Sequence, residues 1–372
     1  MFITELNLSN FRNYEKLNIS LDSGINIIYG KNGYGKTNIL ESMFLCCIGK
    51  SFRTNHDVEM IKSGEQKFDV KVKLSDNLFG SIEVSYDKNK SKVVIVDGVC
   101  INKLRLLMGK MHGILFSPET LSLINDGPSE RRKFMDVALC QLSGNYYYSL
   151  IMYNKAVQEK NALLSDRFSS VDKISLDVYN EQLADFGSFI IASRYNYMKK
   201  INEFASELYN EISDSSEKIG IKYVTNSSNI LKSNEEFDIN KLKSDLYDEI
   251  SSERNISREK DLGRCIIGPH RDDFETVLND FSLKSFGSQG QKRSAAVAMK
   301  IAEIEIMKEK SGKTPILFLD DVLSELDNMR KNKIIELTKN YQTFITCTDR
   351  DVAEDLLKKK ESVKYINVEQ LR

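Results

Sequence analysis

Apolar residues alternate with polar ones over residues 2–8, 17–21, 68–74, 82–86 and 93–96, a period of two that predicts strands through the first part of the chain. Asp97-Gly98 supplies a tight turn before Val99. The run Ile25-Asn26-Ile27-Ile28-Tyr29 reads as a further strand, and residues 37–48 follow with the apolar density of a buried helix. From Ser129 the period changes. Leu150, Val157 and Leu164 recur every seven residues, and Leu176, Tyr179, Leu183, Phe186, Ile190, Tyr197, Ile201, Phe204, Leu208 and Ile212 keep a three-four spacing through one long helical segment. Two helices joined around residues 165–172 fit either a short antiparallel arm or an amphipathic subdomain packed on the core. Residues 213–259 are polar and weakly specified, with one helix expected at 240–252. Order returns after Gly263, with a glycine-bearing turn and helix over 285–308, a strand at 314–319, a helix at 328–339 and a strand at 341–347. The pattern is α/β, and it places the two halves of a nucleotide-binding core at opposite ends. A split head domain is expected from residues 1–120 and 260–372, with a largely helical insert at 121–259.

The 372 residues, 41% of them hydrophobic, suffice for a substantial core and more than one compact unit. The longest unbroken apolar stretches, 43–48 and 316–319, fall far short of the ~20 residues that span a bilayer. Met1-Phe2-Ile3-Thr4-Glu5 has no basic region before an apolar core, so no secretory signal and no membrane association are expected, and the protein is placed in the cytoplasm. Six cysteines without a C-x-x-C pair, and three histidines away from them, point to reduced, mostly buried thiols and no structural zinc. A net charge of -1 conceals 29% charged residues, so contact with nucleic acid requires a local basic surface.

The candidate chemistry begins at Gly30-Lys31-Asn32-Gly33-Tyr34-Gly35-Lys36-Thr37, a full G-x-x-x-x-G-K-[ST] phosphate loop between a strand and a helix. Gly33 and Gly35 let backbone N–H groups face phosphates, and the following helix adds the positive end of its dipole. Lys36 is expected to reach the β and γ phosphates of ATP, and the Thr37 hydroxyl to ligate Mg²⁺. Almost three hundred residues later, Ile316-Leu317-Phe318-Leu319-Asp320-Asp321 delivers two carboxylates to the end of an apolar strand. Asp320 is assigned to Mg²⁺ through its water shell, and Asp321 to orienting or deprotonating the attacking water. Between them, Gly287-Ser288-Gln289-Gly290-Gln291 precedes a helix expected from Lys292. It is similar to the S-G-G-Q signature of ABC-type ATPases, in which serine and glycine at a helix start form an anion site for a second subunit's ATP. Ser324-Glu325-Leu326-Asp327 stands where those proteins carry a D-loop.

Further blocks make the resemblance specific: Leu8-Ser9-Asn10-Phe11-Arg12-Asn13-Tyr14, Ser51-Phe52-Arg53-Thr54, Phe116-Ser117-Pro118-Glu119, Arg131-Arg132-Lys133-Phe134-Met135-Asp136 and Gly268-Pro269-His270-Arg271-Asp272-Asp273. The chain resembles the RecF family of DNA recombination and repair proteins, relatives of the Rad50 and SMC ATPase heads. The resemblance covers most of the chain and is least diagnostic over 137–260. It implies an ABC-type, Rad50-head-like P-loop ATPase domain and an ATP-dependent homodimer assembled through Ser288, Gly290 and Gln291. It also implies binding to double-stranded or gapped DNA and weak, DNA-stimulated hydrolysis used as a switch. The implied partners are RecR and RecO, with RecA loading at gaps and the SOS response as the setting.

Two departures from ABC practice accompany it: Ile345-Thr346-Cys347-Thr348-Asp349 has no switch histidine, and Asp321 replaces the catalytic glutamate. An aspartate is one methylene shorter, so its grip on water is poorer, which suits a slow timer. A transporter's ATP-binding subunit would keep its motif halves close together. A Rad50-like nuclease partner would need long coiled coils and a zinc hook. A non-hydrolysing ATP-binding scaffold remains the alternative of a different class. Arg12 and Arg53 read either as nucleotide-facing groups or as surface ion pairs. Arg131, Arg132 and Lys133 open a helix at the end where its dipole disfavours cations, so they read as DNA phosphate contacts or as a solvated basic face. His270 with Arg271, Asp272 and Asp273 reads as a structural or interface turn.

Overall fold

The computed structural model describes residues 1–75, 80–165, 173–213, 217–226, 238–349 and 363–371. The alternating segments at the start form β1 (Phe2–Phe11) and β2 (Tyr14–Ser20), and the apolar run forms β3 (Ile25–Tyr29), which leads into α1 (Lys36–Ile48). With β4 (Lys67–Ser75), β5 (Ser81–Asp87), β6 (Val93–Val96) and β7 (Val99–Ile101) they build an antiparallel sheet ordered β2-β1-β4-β5-β6-β7. Its inward row includes Leu6, Leu8, Val70, Val72, Ile82 and Val84, all buried. Lysines 67, 71 and 73 alternate with that row on the other face, the division a half-wetted sheet requires. Asp97 and Gly98, at φ 51° and 78°, make the tight β6-β7 turn that their sequence predicts.

The middle of the chain runs through β8 (Gly113–Phe116), α2 (Pro118–Leu121), α3 (Pro128–Leu142), α4 (Gly144–Ser165), α5 (Lys173–Ser213), β9 (Ile219–Val224), α6 (Ile239–Ser251) and α7 (Glu253–Leu262). It continues with β10 (Asp273–Leu278), β11 (Phe281–Ser282), α8 (Leu283–Phe286), α9 (Gln289–Ser311), β12 (Ile316–Leu319), α10 (Asn328–Leu337), β13 (Thr343–Cys347) and β14 (Val363–Asn367). A parallel sheet ordered β14-β3-β13-β12-β8 lies at the centre. β3 therefore sits between two strands from the far end of the chain. α1 packs on β1, β4 and β5 of one sheet and on β13 of the other. A helix covered on both sides must be apolar nearly all round, and Ile39, Leu40, Met43, Leu45, Cys46 and Cys47 are all buried.

α5, with 41 residues, is about 60 Å long at the α-helical rise. It packs along α4, α6, α9 and β9. The junction at 166–172 lies outside the described residues. On α4 the buried residues are Tyr146, Tyr147, Ser149, Tyr153, Ala156, Lys160 and Leu164, so Ser149 and Ala156 take the places of Leu150 and Val157 and only Leu164 of the heptad lies in the seam. Leu150 and Val157 sit at its rim. Tyrosine bodies and a lysine stem supply that apolar face, and Lys160 can be buried because Glu259 on α7 pairs with it at 2.6 Å, both side chains 1% exposed.

Several elements were not singled out by the sequence pattern. β9 lies in the polar stretch 213–259, yet Ile219, Ile221 and Tyr223 alternate inward and the strand pairs antiparallel with β10. α7 follows α6 in the same stretch. β8 has four residues, all buried, so it carries no alternation, and β14 has five and is only half buried. No helix among the described residues is long and apolar enough to cross a membrane. Cys46, Cys47, Cys140 and Cys265 are buried, Cys347 is half-buried and Cys100 exposed, all as free thiols.

Candidate functional site

β3 ends at the phosphate loop, residues 30–37, and three glycines there, Gly30, Gly33 and Gly35, have φ of 142°, 82° and 100°. At Gly35 the requirement is double. Its φ is positive, and a Cβ would stand 2.6 Å from Asn13 Nδ2 and 2.9 Å from the Tyr14 hydroxyl. Those two side chains, in the β1-β2 turn and at the start of β2, brace the loop: Asn13 Nδ2 donates to the Tyr34 carbonyl at 3.1 Å, and the Tyr14 hydroxyl donates to the Tyr34 and Gly35 carbonyls, both at 3.3 Å. Asn38 of α1 donates to Asn13 Oδ1 at 2.8 Å, which fixes the brace to the helix. On the opposite side Glu369 Oε1 accepts from the Lys31 N–H at 3.1 Å. Lys36 is buried, and its ammonium donates to the Gly30 carbonyl at 2.8 Å and to Asn32 Oδ1 at 3.1 Å. The cation thus faces the cradle of the loop, at the positive end of α1.

The carboxylate strand meets this loop directly. Thr37 Oγ1 donates to Asp320 Oδ1 at 2.9 Å, across 283 positions of sequence. Thr346 Oγ1, on neighbouring β13, donates to the same oxygen at 2.8 Å. Burial pushes the Asp320 carboxyl above its ordinary pKa, the two hydroxyl donors pull it back, and the adjacent Asp321 charge adds to the rise. Asp321 has φ 49°, a conformation uncommon for a residue with a side chain, and it is held there at both ends. Its N–H donates to Thr346 Oγ1 at 2.8 Å and its carbonyl accepts from the Ser324 hydroxyl at 2.7 Å. Thr346 falls within the segment where an ABC ATPase would carry the switch histidine. It is a functional candidate the sequence reading passed over, although a hydroxyl in an otherwise apolar strand was its signal. The hydroxyl and carboxylate oxygens of Thr37 and Asp320 form a hard donor set suited to Mg²⁺, which takes few protein ligands and fills its shell with phosphate oxygens and water. No group of three or more His, Cys, Asp or Glu side chains suited to a metal ion occurs among the described residues.

One buried carboxylate organises the flank of the site. Glu41, one turn after Thr37 and fully buried, accepts from Arg12 Nε at 2.9 Å and Nη2 at 2.6 Å, and from the Ser51 hydroxyl. Arg53 lies 3.4 Å from it and donates to Asn38 Oδ1 at 2.8 Å. Arg12 is therefore no surface ion pair; it is clamped against a buried acid beside the phosphate-loop helix. A lone glutamate inside an apolar helix was the sequence signal for this hub.

The signature segment forms a second group. Ser288 is the N-cap of α9, which starts at Gln289 and not at Lys292, so Gly290 and Gln291 lie within the first helical turn. Ser288 Oγ accepts from the Gln291 N–H at 3.2 Å, Gln291 Oε1 accepts from the Ser288 N–H at 2.8 Å, and Gln291 Nε2 donates to Glu217 at 2.7 Å. A serine hydroxyl that accepts in this way keeps its own proton to donate.

The basic triplet divides between partners within the chain and the surface. Arg131 is buried and forms a fork with Asp273 at 2.6 and 2.7 Å, and Arg132 donates to the Asp272 carbonyl at 2.7 Å. Both guanidinium groups bind the 268–273 segment instead of presenting a phosphate-facing surface. Lys133 is half-exposed and borders a cavity of about 500 Å3 that reaches Thr37, Arg53 and Asp320. His270 accepts or donates at 2.6 Å with the Tyr153 hydroxyl, and burial lowers its pKa to about 4. Arg194, buried, ties Asp136 and the Pro269 carbonyl together at 2.6–3.0 Å. That cluster, expected as a structural or interface turn, is a turn hydrogen-bonded within the chain.

A family model described as the RecF/RecN/SMC N terminal domain matches residues 2–370. The chain is 39% identical over 372 residues to a protein of Alkaliphilus oremlandii named DNA replication and repair protein RecF, with all of both chains covered. A solved structure described as the recombination mediator protein RecF-ATP in the RecFOR pathway superposes with a TM-score of 0.85 at 34% identity, covering 94% of this chain and 92% of that one. The head of an Smc protein bound to the C-winged helix domain of ScpA superposes with a TM-score of 0.52 at 14% identity, covering 98% and 94%, a likeness of fold alone.

Proposed function

The chain belongs to the RecF family of RecF/RecN/SMC-type ATPases, with that family's role in DNA replication and repair, and we propose that it acts there as an ATP-gated DNA clamp. The observation that carries this reading is the 2.9 Å bond between Thr37 and Asp320, which joins the two distant motif halves into one nucleotide site. In the proposed cycle the loop 30–37 cradles the phosphates of ATP, Lys36 turns its ammonium from the loop carbonyls to the β and γ phosphates, and Thr37 and Asp320 hold Mg²⁺. The metal, bound with the nucleotide, supplies neutralisation of phosphate charge. Asp321 positions the attacking water. Ser288 and Gly290 reach the γ-phosphate held by a second copy, so that ATP assembles a homodimer and hydrolysis releases it. Turnover is slow, because the shorter acid holds water less firmly and the segment around Thr346 brings no histidine.

The same reading divides the chain into a split head, residues 1–120 and 260–372, and a helical insert, residues 121–259. It assigns DNA, RecR and RecO as partners and RecA loading at gaps as the outcome, in the cytoplasm. Sedimentation of the protein with and without ATP and gapped DNA tests it. The expected result is an ATP-dependent dimer that retains DNA, with DNA affinity falling steeply as salt rises. A monomer indifferent to nucleotide would overturn it.

A further inference from the structure

Two arginines join the signature turn to the loop that follows the carboxylate strand. Arg330, in the first turn of α10, donates from Nη2 to the Gly290 carbonyl at 2.7 Å, and from Nε and Nη2 to Ser294 Oγ at 3.0 and 2.7 Å. Ser294 is fully buried on α9, and the Arg330 side chain is only 13% exposed. In the reverse direction Arg293, on α9, donates to the Glu325 carbonyl at 2.7 Å and lies 3.4 Å from the Glu325 carboxylate. Asp327 closes the circuit: it caps α10 by accepting the Arg330 N–H at 3.1 Å and pairs with the Arg330 guanidinium. The loop so gripped begins at Asp321, whose carbonyl takes the Ser324 hydroxyl.

This placement runs against local electrostatics. A helix N-terminus repels cations, yet two guanidinium groups are kept beside the start of α9. Burial lowers the Arg330 pKa, the cost expected of a desolvated cation. What the arrangement gains is rigidity: the planar guanidinium holds a carbonyl and a hydroxyl at a fixed mutual angle, which the rotating ammonium of a lysine on its flexible stem does not impose.

We propose that Arg330 is a positioning residue that locks the Ser288-Gln289-Gly290 turn to loop 321–327, so that the signature offered to a second copy is set by the carboxylate loop of its own subunit. The inference rests on the ATP-sandwich reading above. Through it, a change at Asp320 and Asp321 in one nucleotide site is passed to the signature that caps the other.

The test compares the full-length protein with Arg330→Met and Arg330→Lys, measuring ATP binding at concentrations below dimerisation and the ATP-dependent dimer constant by sedimentation. ATP binding by the monomer is expected to stay within about twofold in all three, while dimerisation weakens about tenfold or more in Arg330→Met and less in Arg330→Lys. A merely structural role would lower monomer ATP binding and dimerisation together. Arg330→Met that dimerises like the parent overturns the proposal and leaves the sandwich standing. A parent protein that stays monomeric with ATP overturns both. Where Arg330→Met does not fold, the lysine variant decides, since unaltered dimerisation in it means that the guanidinium fork is not needed.

Discussion

Thr37 and Asp320 share a hydrogen bond of 2.9 Å although 283 positions separate them, and that contact is where the phosphate loop and the carboxylate strand become one site. Asp320→Ala removes one of the two oxygens assigned to Mg²⁺. Nucleotide affinity measured with Mg²⁺ is expected to fall at least tenfold, ~1.4 kcal/mol, while affinity in excess chelator stays near the parent value. Equal losses in both conditions would show that Asp320 acts on the loop and not on the metal.

Lys36→Met and Ser288→Arg separate the two halves of the proposed cycle. The first removes the ammonium that faces the cradle, and ATP binding should be abolished in a filter or fluorescence titration. The second places a bulky cation at the α9 N-cap, where ATP binding should persist and the ATP-dependent dimer should disappear from sedimentation profiles. A Ser288→Arg protein that still dimerises with ATP contradicts the sandwich.

Asp321→Asn keeps the shape of the side chain and removes its basicity. Phosphate release is expected to drop about 100-fold or more, with nucleotide binding and dimerisation retained. If the parent protein releases no phosphate, the chain is an ATP-binding scaffold and this substitution changes nothing.

Glu41→Ala leaves the Arg12 guanidinium beside a buried cavity without its acid. Removing one partner of a buried pair should cost ~3 kcal/mol in urea unfolding, reduced to the extent that Arg12, 17% exposed, reaches water. Glu41→Gln keeps one acceptor oxygen for Arg12 Nη2 and Ser51, turns an NH2 donor towards Arg12 Nε, and should lose less.

His112 is buried at the entrance to β8, and burial, with the nearby Lys313 charge, lowers its pKa from 6.5 to about 4. The unfolded chain takes up its proton near 6.5 and the folded chain only near 4. Stability contributed by this group is therefore complete above the upper value and drains away as pH falls through the window. His112→Phe should flatten the decline over that range by up to about 1.4 kcal/mol per pH unit, read from urea unfolding at successive pH values. His270, lowered in the same way, continues to contribute to the decline in that variant.

Legibility in the sequence followed physical rules. The phosphate loop was readable because its glycines, lysine and threonine sit at fixed spacing between a strand and a helix. Asp320 and Asp321 were readable because an apolar strand delivered them. Glu41 and Thr346 were not, because a single polar residue in an apolar element signals burial without naming its partner. Arg131 and Arg132 were open to two readings for a related reason: a run of cations shows no partner until Asp273, 142 positions from Arg131, and the Asp272 carbonyl, 140 from Arg132, are brought alongside. β8 hid because strands buried on both faces do not alternate, and β9 because one short alternation lies in a polar, weakly specified stretch.

The strand order β14-β3-β13-β12-β8 has a consequence for biosynthesis. β3, which presents the phosphate loop, emerges early from the ribosome but has both of its sheet neighbours encoded after residue 342. Until residues 343–367 have been made, that strand lacks both of its neighbours in the sheet. Nucleotide binding at this loop is therefore expected only once that slow, long-range sheet has closed, a late step in folding.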